Sequence, residues 1–160
     1  MYQRRVFAIA FLVVVLDQTA KWLAVKNLEL QSDIHVLGDF LKLSFARNPG
    51  AAFSFATGST LIFTAVAATV VVVIIRTSRT LTHPWWAACL GALLGGAIGN
   101  LLDRLFRSPG IGVGHVVDFI RFPHYPLFNI ADMAIVGSAI VMVVMSLRGI
   151  EMSTKENHDS

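Results

Sequence analysis

The chain has 160 residues, 55% hydrophobic and 14% charged, with a net charge of +3 and a mean hydropathy of +0.66. Soluble domains carry roughly a quarter charged residues, so this composition and its long apolar runs mark an integral membrane protein of one domain, 1–160. The mild charge, with no dense basic run, excludes a nucleic-acid binder, and the single cysteine, Cys89, excludes an intramolecular disulfide.

A membrane-spanning helix needs about 20 largely apolar residues. The first candidate covers about 6–25. Arg4 and Arg5 precede it, as in a signal peptide, but the apolar run continues past Asp17 and Lys21 and no small-residue cleavage site follows. Next comes an alternating apolar and polar stretch, Phe40 to Phe45, which predicts a short strand, and then a turn at Asn48-Pro49-Gly50. The second span covers about 60–75. A short link with Arg76 and Arg79 leads to the third, about 85–102, where Trp85 and Trp86 fit an interfacial anchor. The segment 105–128 is rich in Gly and Pro and holds a second strand-like piece, His115 to Phe122. The fourth span covers about 130–147, and the polar tail, about 151–160, is expected to be disordered. The fold class is therefore all-α, with four transmembrane helices and a small extracytoplasmic platform containing β-structure. Basic residues are nearly balanced between the two sides. The short link has two arginines and no acid, and short loops follow the positive-inside rule best, so both termini are expected in the cytoplasm.

With four antiparallel spans, the ends of spans one and three share a face with the starts of two and four. Asp17 and Lys21 lie late in span one, and Asn48 to Phe53 just before span two. Asn100, Asp103 and Arg104 close span three. Asp118 precedes span four, which Asn129 and Asp132 open. All these groups fall on the side opposite the termini, and ionisable groups at membrane depth usually mark function. Each has a bland reading. Asp17 and Lys21 can simply pair at i, i+4. Asn100 and Asp103 can bridge helices. Arg104 can snorkel to the headgroups, Asp118 can be a loop residue, and Asp132 can cap its helix. Gly91, Gly95, Gly96 and Gly99 form a small-residue face suited to close helix packing, which also frees room for a substrate. Cys89 reads as an apolar filler. The five histidines show no metal-ligand spacing, the glycines form no phosphate loop, and no cofactor or metal is implied.

DQTAK (17–21), NPGAAF (48–53), GGAIGNLLDR (95–104), VVDF (116–119) and FNIAD (128–132) occur in the order and spacing pattern of lipoprotein signal peptidase, the bacterial signal peptidase II family, and the resemblance spans about 6–147. It implies a multi-pass aspartic endopeptidase of the bacterial inner membrane, with its active site facing the extracytoplasmic side. Such an enzyme removes the signal peptide from a diacylglyceryl-modified prolipoprotein, cutting just before the lipidated cysteine. By match to VVDF and FNIAD, Asp118 and Asp132 would be the catalytic pair. Asp17, Lys21, Asn48, Gly96, Asn100, Asp103, Arg104 and Asn129 would support the substrate site. Prolipoproteins, membrane lipid and the cyclic peptide antibiotic globomycin are the implied partners, and nucleic acid is not. A monomer is expected, since four helices can enclose the site.

The chemistry follows from the residue types. Two carboxylates a few ångströms apart share a proton, so one can draw a proton from water while the other donates to the scissile carbonyl. Three rivals are weaker. A transporter or channel subunit would spread polar groups through all depths instead of one face. A membrane scaffold leaves Asp118 and Asp132 unexplained. A presenilin-like protease would set both aspartates deep within spans.

Overall fold

The computed structural model describes residues 2–50 and 59–152. Ala51, Ala52 and Phe53, which end the NPGAAF stretch, lie outside them, as do residues 153–160 of the expected disordered tail. Among the described residues, four helices are long and apolar enough to cross a membrane. They are α1 (Tyr2–Leu28), α2 (Ser59–Thr77), α3 (Pro84–Phe106) and α4 (Ile130–Leu147). The first three extend past the expected spans into polar sequence, at Tyr2 to Arg5 and Asp103 to Phe106 for example. Hydropathy registers only the bilayer core, whereas backbone hydrogen bonding carries a helix on into the headgroup layer.

Local sequence sets the ends of the two helices that bear most of the polar residues. Pro84 occupies the first turn of α3, where its missing N–H costs nothing, and the His83 side chain accepts from the Trp85 N–H. At α4, the Asn129 side chain accepts from the Asp132 N–H while the Asp132 carboxylate accepts from the Asn129 N–H. This is a reciprocal capping box.

Helix α3 is the hub and packs against α1, α2 and α4. Its glycines permit this. A Cβ on Gly91 would sit 2.8 Å from the Val6 carbonyl oxygen, and one on Gly95 2.7 Å from that of Ala10, so α1 meets α3 backbone to backbone. A Cβ on Gly96 would lie 2.5 Å from the Ala131 oxygen of α4. Gly96→Val is therefore expected to cost about 1–3 kcal/mol by overpacking. Gly137→Ala, in open space, should be neutral or gain up to about 1 kcal/mol from helix propensity. Thermal unfolding of the two variants in detergent checks this, and equal behaviour would contradict the packing.

The outward faces are apolar. Phe11, Leu12, Ile62, Val136 and Ile140 are all exposed, as lipid-facing residues are. A buried cluster at one end joins Val6, Ile74, Leu81, Trp86, Leu90 and Met145, and Tyr2 and Met152 pack against it. The described chain ends therefore lie together at that end.

At the other end a three-stranded antiparallel sheet packs on α1. Its strands run in the order β1 (Ile34–Leu37), β2 (Leu41–Asn48), β3 (Val116–Arg121). β2 and β3 match the two expected strand pieces, with β2 running three residues further. β1 gives no alternation signal because all four of its residues are exposed. Val117 and Phe119 of β3 join Ala24 and Leu28 of α1 in a second core. The intervening Asp118 points the other way on the pleat, toward the helix ends. It lies mid-strand, not in a loop, and is 2% exposed.

Candidate active site

Among the described residues, the polar groups picked from the sequence arrive at the sheet end of the bundle, and most join one hydrogen-bonded network. Lys21 Nζ donates to Asp17 Oδ2 and Asp103 Oδ2, each at 2.9 Å, and to Asn100 Oδ1 at 2.8 Å. Asn100 Nδ2 donates to Asp132 Oδ1 at 2.8 Å. Asn129 Nδ2 donates to Asp118 Oδ1 at 2.6 Å, and Asn48 Nδ2 to Asp118 Oδ2 at 2.8 Å. The Asn129 backbone N–H donates to Asp132 Oδ2 at 3.1 Å. Asn129 thus bridges the carboxylates of β3 and α4.

Donor counts separate the four aspartates into two kinds. Asp103 Oδ1 accepts from Arg107 Nε and Gln18 Nε2, and its Oδ2 from Lys21 and the Val117 N–H. Asp17 Oδ1 accepts from the Ala131 N–H, and its Oδ2 from Lys21 and Gln18. Both are buried and ion-paired, Asp103 with four donors and Asp17 with three. Asp118 and Asp132 receive only neutral amide donors, and no salt bridge reaches them among the described residues. Each carboxyl oxygen (four lone-pair sites per group) therefore keeps capacity for water or a carbonyl. Asp132 is also half-buried and opens to the surface.

Burial away from water pushes the Asp118 carboxyl up to about 6. The nearby Asp132 charge adds to the rise, while the amides of Asn48 and Asn129 and the charge of Lys21 oppose it.

Arg104 is buried, with its guanidinium 5.5 Å from the Phe63 ring centroid and within electrostatic reach of Asp118, Asp103 and Asp132. It does not snorkel outward. Gly96 lies outside the network, one turn back on α3, where it admits the α4 backbone. Sequence reasoning missed Gln18 and Arg107. Arg107 stands i+4 from Asp103, a spacing that signals a pair. Gln18 touches Asp17, Gly99 and Asp103 across two helices, which no local spacing reveals.

An apolar groove of about 470 Å³ leads from Asp132 along the outer face of α4, past Met133, Val136, Gly137 and Ile140, and is roofed by Tyr125 to Phe128. Among the described residues no three His, Cys, Asp or Glu side chains converge as metal ligands.

The family model for signal peptidase (SPase) II matches residues 9–148. The chain belongs to the signal peptidase II family. It is 51% identical to a lipoprotein signal peptidase of Rhodococcus jostii, over 94% of this chain and 77% of that one. It is 49% identical to a lipoprotein signal peptidase of Streptomyces coelicolor, over 91% and 71%. It superposes with a TM-score of 0.80 on a solved bacterial membrane enzyme that is 25% identical, covering 90% of this chain and 93% of that one. A second such enzyme gives a TM-score of 0.79. As a signal peptidase II, the protein is a multi-pass membrane peptidase that acts on prolipoproteins.

Proposed function

We propose that the protein is an aspartic endopeptidase that removes the signal peptide from diacylglyceryl-modified prolipoproteins, cutting just before the lipidated cysteine, with Asp118 and Asp132 as the catalytic pair. One observation carries this reading: of the four aspartates in the network, these two alone accept no hydrogen bond from a cation among the described residues, and one asparagine bridges them. The pair binds one proton. Its ionised member draws a proton from water, and the water oxygen bonds to the scissile carbonyl carbon. Its protonated member donates to the carbonyl oxygen. As the tetrahedral intermediate collapses, the C–N bond breaks, the proton taken from water passes to the leaving amine, and the carboxylate that gave its proton takes one back from a hydroxyl of the intermediate, restoring the pair. Asn129 and Asn48 hold Asp118, and Asn100 and Asn129 hold Asp132, so little reorganisation is needed during reaction.

The groove beside Asp132 supports a substrate that is apolar next to its scissile bond. Diacylglyceryl chains can remain in lipid while the peptide bond meets water at the bilayer surface. Arg104, buried beside the pair, balances its charge. The site faces the extracytoplasmic side of the inner membrane and both termini face the cytoplasm, as the arginines of the link between α2 and α3 favour. The chain acts as one domain and as a monomer, and globomycin occupies the same cleft.

The test is cleavage of a diacylglyceryl-modified prolipoprotein by the purified protein in detergent. The cut should fall before the modified cysteine, and globomycin should block it. A chelator should leave the rate unchanged; loss of activity restored by added metal would overturn the two-aspartate mechanism. The proton of the pair is lost as pH rises through about 6 in the free enzyme, so kcat/KM should decline above that pH. Substrate excludes water and raises the value further, so the decline in kcat should lie at higher pH. A kcat/KM profile flat from pH 5 to 8 would contradict the shared proton.

A further inference from the structure

The three hydrogen bonds of Lys21 use all of its chemistry. An ammonium carries three N–H donors and no acceptor, and Lys21 spends them on Asp17, Asp103 and Asn100 at 2.9, 2.9 and 2.8 Å, fully buried. Two of those partners grip the backbone immediately before a catalytic aspartate. Asp103 accepts from the N–H of Val117, one residue before Asp118, at 3.1 Å. Asp17 accepts from the N–H of Ala131, one residue before Asp132, at 2.9 Å. The third arm acts on a side chain. Because Lys21 can only donate, the Asn100 atom facing it must be the carbonyl oxygen, which also takes a 3.3 Å bond from Asn129 Nδ2. The Asn100 amide nitrogen must then face Asp132 Oδ1. Turned over, Asn100 would set its NH2 against the ammonium and its oxygen against a carboxylate.

We propose that Lys21 is a positioning residue for the catalytic pair, with its ammonium fixing the Asn100 amide in the one orientation that presents an N–H to Asp132. This deepens the aspartic-peptidase reading and rests on it. In a structural role alone, Lys21 neutralises two buried carboxylates and nothing more. In a positioning role it also sets the donor that aims Asp132, so that the carboxylate stays oriented to accept a proton from water.

The double variant Lys21→Met/Asp17→Asn separates the two roles. It removes one charge of each sign and keeps a carbonyl oxygen for the Ala131 N–H, while Asp103 retains Arg107. Beyond the arm to Asn100, it removes the Lys21 bond to Asp103 Oδ2, which keeps the Val117 N–H, and sets the new amide NH2 at position 17 against Gln18 Nε2, so the triple variant is what isolates the Asn100 arm. The measurement is kcat and KM per folded enzyme on a diacylglyceryl-modified prolipoprotein, beside Asn100→Leu and the triple variant. Positioning predicts that the double variant loses about 100-fold in kcat, the scale of a misplaced catalytic group, with KM within about threefold. It also predicts non-additivity: the triple variant should be no slower than Asn100→Leu, because both changes act through one contact. Wild-type kcat in the double variant overturns the proposal, as do losses that multiply in the triple variant. Should the double variant not fold, Lys21→Leu/Asp17→Asn, which likewise offers no donor to Asn100, takes its place in the cycle, and failure of both to fold overturns it by making Lys21 a stability element alone. Wild-type activity of Asp132→Asn would instead show failure of the underlying aspartic reading.

Discussion

Asp132→Asn is expected to slow prolipoprotein cleavage by at least about 1,000-fold while leaving the protein folded, and Asp118→Asn to do the same. Asparagine keeps the size of the side chain but can neither take a proton from water nor share one. At position 132 its carbonyl can still accept from the Asn129 N–H, so the start of α4 survives. Its NH2 then meets the Asn100 NH2, which cannot turn while Lys21 holds the oxygen. At position 118 both oxygens accept amide donors, from Asn48 and Asn129, so one of these contacts becomes donor against donor. Each conflict costs about 1 kcal/mol or somewhat more, which is too little to unfold the bundle. Rates normalised to folded protein in detergent, with thermal unfolding alongside, decide the matter. Either variant cutting at more than about a tenth of the wild-type rate removes that residue from the mechanism.

Asp103→Asn should behave in the opposite way, failing first in stability. Asp103 receives four donors, two from cations, on a side chain that is 1% exposed. An asparagine offers one acceptor oxygen, and its NH2 would face two of those donors. Lys21 and Arg107 would lose half or all of their charge compensation in a buried setting. Breaking a buried pair in this way costs about 3 kcal/mol or more, and here it also frees the Val117 N–H that anchors β3. The expected result is a markedly lower yield and melting temperature. Whatever folds should retain more of its per-molecule activity than either catalytic-pair variant. A stable, inactive Asp103→Asn protein would show that Asp103 belongs to the chemistry and that donor saturation is the wrong criterion for the pair.

Much of this was legible from residue order. The four spans follow from hydropathy, and the convergence of polar groups follows from antiparallel connectivity, because alternate helix ends must share a face. The two strand pieces that pair as β2 and β3 were legible from alternation. The capping box of α4 was half legible, since Asp132 was readable as a cap and Asn129 stands at the right spacing. β1 was not, because a short strand exposed on both sides has no burial to impose a period of two. Gln18 was not either, because its partners on α3 lie more than 80 residues away in sequence.

The sequence by itself determined which residues could carry chemistry, how many times the chain crosses the membrane, and at which end of the bundle the polar groups gather. These depend on transfer free energies and helix length, which are properties of local composition. Only the tertiary structure decided how four aspartates divide into two that are ion-paired to lysine or arginine and two that accept only neutral amide donors. That division depends on which donors surround each carboxylate, and the donors come from α1, α3, β2, β3 and the start of α4 together. A hydrogen bond is satisfied by position in space and is indifferent to separation along the chain. Spacing therefore found the candidates, and packing separated them by their donors.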